Sequence, residues 1–106
     1  MELEIDRGVL AQVVLMGREI ERAEPELRGI IDALGDVERT ELVAIMWVGR
    51  GAFDAEDWAE AVVTAEAEAV TPCADYLLGT PHFTDHIEAG LDALGISLRS
   101  DEEALF

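Results

Sequence analysis

Apolar positions fall at helical spacing along almost the whole chain. Ile5, Val9, Val13, Met16 and Ile20 recur three and four residues apart and share one narrow sector. That spacing predicts a first helix over about 6–23. Leu10, Val14 and Leu15 lie outside the sector, so this helix is apolar on more than one face. Such a helix is either central to its fold or meets a partner. The surplus face carrying Leu10 and Val14 is expected to form a homodimer interface. Glu24-Pro25 is expected to end this helix and open the next, because proline suits a first turn and disfavours helix in the residue before it. Leu27, Ile30, Ile31 and Leu34 then follow the i, i+3, i+4, i+7 pattern, with Gly35 as a stop.

Asp36 is the expected N-cap of a third helix. Its apolar run from Leu42 to Val48 also fits a buried strand, but nothing else in the chain offers a pairing partner. A helix apolar all round is a helix buried all round. Gly49 and Gly51 are expected to end it. Asp54 is expected to cap a fourth helix, with Asp57 at its third position. The core stripe of that helix is Trp58, Ala61, Val62, Ala65 and Ala69. Thr71-Pro72 and Thr80-Pro81 start two further helices. The first runs through Tyr76-Leu77-Leu78 to Gly79. The second has the stripe Phe83, Ile87, Leu91 and Leu94 and ends at Gly95. Gly90 lies at the edge of that stripe, where a missing side chain lets another helix approach.

The prediction is an all-α fold, a compact bundle of five or six short helices. One domain covers 1–96, followed by an acidic tail over 97–106. The apolar tip Ala104-Leu105-Phe106 is expected either to dock or to leave the tail mobile. A chain of 106 residues buries roughly 65% of its unfolded surface on folding, enough for a core without staples.

The helix–loop–helix around Glu41-Leu-Val-Ala-Ile-Met-Trp-Val-Gly-Arg-Gly51 resembles a family of small bacterial domains, domain-of-unknown-function family 3775. Trp58, Tyr76-Leu-Leu-Gly-Thr-Pro81 and Ile87-Glu-Ala-Gly-Leu91 carry the same resemblance. It implies that Trp47, Gly49, Arg50, Gly51, Trp58, Tyr76, Gly79 and Pro81 define the domain. It implies no activity, cofactor or catalytic residue.

Charge narrows the functions. Asp and Glu number 24 against seven arginines, for a net charge of −17. Nucleic-acid binding needs a positive footprint for counterion release, so it is not expected. An anionic membrane surface repels the chain for the same reason. The longest apolar run is far short of the ~20 residues a membrane span needs. The N-terminus has no signal-peptide pattern and the single cysteine excludes an internal disulfide, so a cytoplasmic location is expected. The absence of lysine and asparagine, residues of AT-rich codons, points to a high-GC bacterial source.

Candidate chemistry is sparse, and no cofactor or catalytic motif stands out. The turn has the outline of an EF-hand's second half, with Gly51 as the sharp-turn glycine and Asp54 and Asp57 downstream. The positions that must supply calcium oxygens hold Met46, Val48 and Arg50, so the outline lacks its calcium ligands. His82 and His86 have i, i+4 spacing, a weak metal signal with no third ligand set by spacing. Cys73 falls near a helix start, where the helix dipole lowers a thiol pKa, and a dyad with His82 or His86 is conceivable. A buried apolar cysteine is the commoner case. Trp47, Trp58 and Tyr76 read as core. Arg50, between two glycines, is the sharpest polar residue, a contact for an anionic ligand or a partner carboxylate. With so many carboxylates in the chain, the favoured reading is that it pairs with a nearby acid such as Asp54 or Asp57, or bonds the carbonyls that end its helix. The favoured function is protein–protein interaction, in a regulatory or accessory role. The alternatives are an enzyme or small-ligand domain using Arg50 or the His82–His86 flank, and an acidic mimic of nucleic acid.

Overall fold

A computed structural model describes residues 2–69 and 71–98. These form six α-helices and no strand: α1 (Arg7–Arg18), α2 (Ile20–Ala33), α3 (Asp36–Arg50), α4 (Trp58–Ala67), α5 (Cys73–Leu78) and α6 (Phe83–Ala93). The all-α bundle that the periodicity predicts is the fold. α3 is its hub. Glu41, Leu42 and Ala44 to Val48 are all buried, which closes off every side of that helix. It packs against α4, α5 and above all α6, while α1 packs on α2 and α6.

The α3–α6 crossing is set by two glycines. A Cβ on Gly49 would sit 1.6 Å from the His86 carbonyl oxygen, and one on Gly90 would sit 2.0 Å from the Ile45 carbonyl oxygen. The two backbones are therefore in direct contact, as Gly90 suggested. Gly49 does not end α3. It lies inside the helix and is small because α6 is there. The stop is Gly51, which takes φ +86°. Its N–H donates to Val48 O, and Ala52 N–H donates to Trp47 O at 3.0 Å. This is a Schellman pair, which a left-handed glycine permits. Gly95 ends α6 in the same way, at φ +73°, with Ile96 N–H donating to Leu91 O.

Several boundaries differ from expectation. α1 stops at Arg18, Glu19 breaks the chain, and α2 begins at Ile20 with Pro25 inside it. Pro25 lacks the N–H that would reach the Glu21 carbonyl, but it is exposed, so water can serve that carbonyl. The early bend lets α2 fold back and bury Leu27 and Ile31. That packing outweighs the local preference at Glu24-Pro25. Gly35, not Asp36, is the N-cap of α3, and Glu38 Oε1 accepts its N–H at 2.9 Å. Asp54 makes no side-chain cap; a 3-10 turn over Ala55–Asp57 leads into α4 instead. α4 ends at Ala67, so Ala69 falls off the core stripe and is exposed.

The segment before α1 is anchored to α3. Ile5 is buried, and the Glu41 carboxylate accepts the N–H groups of Glu4 and Ile5 at 2.8–3.0 Å. At the other end Ile96 and Leu98 join the core, so core packing continues into the segment expected to be tail. The apolar tip Ala104-Leu105-Phe106 lies outside the described residues. Among the described residues no helix is long and apolar enough to cross a membrane.

Candidate functional site

An open groove of about 1070 Å³ lies between α3, α4 and α5. That volume is at the upper end of small-molecule clefts. Its floor is apolar and aromatic: Val43 and Trp47 from α3, Ala65 from α4, and Cys73 and Tyr76 from α5. Trp47 Nε1–H donates to Tyr76 Oη at 2.8 Å. Trp47 also stacks on Phe53, with centroids 5.8 Å apart and planes at 22°. Each aromatic ring of the floor therefore has a partner that orients it.

The rim is charged. Asp32 and Asp36 line one part, and Glu66 and Glu68, at the end of α4, line another. Arg39 is the cation that lines the groove among the described residues. Its guanidinium pairs with Asp36 Oδ1 at 2.6 Å and donates to the Asp32 carbonyl at 3.2 Å. No described cation pairs with the side chains of Asp32, Glu66 or Glu68. Burial pushes the Cys73 thiol up to about 11, against a small opposing effect of Arg39. Cys73 is the first residue of α5, yet desolvation overrides the helix dipole. The thiol is therefore protonated at neutral pH and packs as an apolar group.

The residues singled out from the sequence do not gather into one site. Arg50 is exposed and, among the described residues, makes no ion pair or hydrogen bond. The expected pairing with Asp54 or Asp57 is not formed. Gly51 and Ala52 serve the Val48 and Trp47 carbonyls at the helix end, and the Arg50 side chain bonds none of the terminal carbonyls among the described residues. It borders neither the groove nor the smaller depression beside α6. His82 is the N-cap of α6 at φ +59°, outside helical geometry, with Nδ1 3.8 Å from Asp85 Oδ2. The i, i+4 argument for a shared face with His86 does not hold for a residue in that conformation. Among the described residues no three His, Cys, Asp or Glu side chains come together as metal ligands. Leu10 and Val14 are 0% exposed within the single chain. They offer no surface to a second copy, because α2 and α6 cover the face that appeared surplus.

The smaller depression, of about 370 Å³, lies beside the start of α6, lined by Gly17, Leu78, His82 and Thr84 among others. Thr84 Oγ1 is buried without a hydrogen-bond partner among the described residues. A Cβ on Gly17 would lie 2.1 Å from it, so close α1–α6 packing is what isolates this hydroxyl.

The groove was not legible as a site in the sequence. Trp47 and Tyr76 are separated by 29 positions, and each reads locally as a core residue.

No curated protein and no solved structure matches this chain. Residues 24–96 match the family described as "Protein of unknown function (DUF3775)". The match takes in most of α2 and all of α3 to α6, and so every residue that lines the groove. With well over half of its length covered, the chain belongs to the DUF3775 family.

Proposed function

We propose that this domain binds a segment of another protein in the α3–α4–α5 groove. The observation that carries the reading is the pairing of an aromatic floor, Trp47 and Tyr76, with a charged, solvent-open rim. Protein interfaces have this anatomy, an apolar centre with Trp and Tyr anchors inside a polar border. The protonated, desolvated Cys73 argues against nucleophilic chemistry on the same floor. A second copy is a poor occupant, because it would bring its own excess of carboxylates to an acidic rim.

Two substitutions test this, one on the floor and one on the rim. Val43→Arg puts a bulky cation on the half-buried floor, and Ala67→Arg puts one on the exposed end of α4. Affinity capture with quantitative mass spectrometry should show partners that the wild-type domain retains and both variants lose. Arg50→Ala, outside the groove, should retain them. An identical captured set from wild type and both groove variants would sink the reading.

A further inference from the structure

We infer that the segment bound in the groove is basic at its flanks and apolar at its centre, with lysine or arginine beside aliphatic or aromatic anchors; this rests on the groove being a protein-binding site. Three rim carboxylates, Asp32, Glu66 and Glu68, have no cationic partner among the described residues. Arg39, the one cation lining the groove among the described residues, is already paired with Asp36. Glu66 and Glu68 sit at the C-terminal end of α4, whose last turn contains no basic residue. A helix C-terminus carries partial negative charge from its unpaired carbonyls and is stabilised by cations. Here two carboxylates add to that charge instead. The end of α4 is therefore an electronegative edge left uncompensated by the described part of the chain, beside an apolar floor. A basic side chain supplied from outside relieves the repulsion while its neighbouring anchor covers Val43 and the Trp47 edge.

The net charge of −17 attracts any cation, so the test must separate the groove from the general field. The full chain, labelled with nitrogen-15, is titrated with three synthetic peptides of equal length. One is amphipathic, with leucine and tryptophan at helical spacing and lysine and arginine elsewhere. The second replaces every cation with glutamate. The third scrambles the first. The readout is the Trp47 indole N–H resonance together with the dissociation constant.

The basic amphipathic peptide should shift that resonance and bind at least about tenfold tighter than either other peptide. Glu66→Gln with Glu68→Gln should weaken it about fivefold and flatten its salt dependence. Glu21→Gln with Asp92→Asn removes the same charge away from the groove and should change binding by less than about twofold. Val43→Arg and Ala67→Arg should each abolish the shift. Equal binding of the glutamate peptide at Trp47 overturns the basic partner while leaving the groove as a protein site. Equal binding of the scrambled peptide, weakened equally by the distant pair, reduces the effect to bulk charge and overturns the inference. If no peptide moves Trp47 and the arginine variants still capture the wild-type partners, both readings fall.

Discussion

Glu41 is a carboxylate at 7% exposure in the middle of an apolar helix. It remains there because two backbone N–H groups of the N-terminal segment, from Glu4 and Ile5, satisfy it. Hydrogen bonds to a charged acceptor are stronger than neutral ones, and an unmatched buried group is costly. Glu41→Gln turns one acceptor into a donor facing those N–H groups. We expect a loss of about 1–3 kcal/mol in urea unfolding. Cys73 makes a second prediction at this scale. Its folded pKa of about 11 lies above the unfolded value of 9.0. Between these values the unfolded chain has lost the proton and the folded chain has kept it. The contribution is fully present below pH 9 and disappears as pH rises through about 11. Wild type should therefore lose more stability than Cys73→Ala across that window. Near neutral pH the folded thiol should alkylate about 10- to 100-fold more slowly than a free cysteine, since only thiolate reacts.

At the scale of elements, the α3–α6 crossing depends on the absence of two side chains. Gly90→Ala drives a methyl into the Ile45 carbonyl, which backbone cannot yield cheaply. The expected cost is about 3 kcal/mol or more. Gly29→Ala is the control. Gly29 is an exposed residue of α2, and a Cβ added there would meet nothing within 4 Å. It should gain about 0.5–1 kcal/mol from helix propensity alone. Thermal unfolding of both variants checks the pair. Equal effects would mean that the crossing is looser than the backbone contact implies. The same crossing explains a misread boundary. Gly49 and Gly51 look alike in sequence, but one is small for a neighbour and the other for a left-handed turn.

For the whole molecule the dominant quantity is charge. A net −17 on 106 residues repels itself in the folded state more than in the expanded chain. The ion pairs Arg28–Asp75, between α2 and α5, and Arg18–Glu88, between α1 and α6, offset part of this locally. Added sodium chloride should raise the thermal midpoint, by about 4–8 °C for each ~1 kcal/mol that screening recovers. A midpoint independent of salt would show that the carboxylates are too dispersed to interact.

Periodicity by itself determined the all-α class, the buried state of α3 and the closeness required at Gly90. These depend on spacing within one helix, and spacing within a helix is written locally. The sequence also marked where helices stop, wherever a left-handed glycine does the stopping, as at Gly51 and Gly95. Tertiary structure alone decided which side of α1 meets what. Leu10 and Val14 look surplus until α2 turns back at Glu19, well before the proline expected to make that turn. It also decided the groove. An apolar floor from α3 and α5 and an acidic edge from α4 become one surface only when three helices pack. No residue on that surface carries a local mark of it, because Trp47 is at once a core side chain and a wall of the site. The turn that stands out most in the sequence, Gly49-Arg50-Gly51, proves to be a contact, an exposed arginine and a helix stop, three separate jobs in three successive residues.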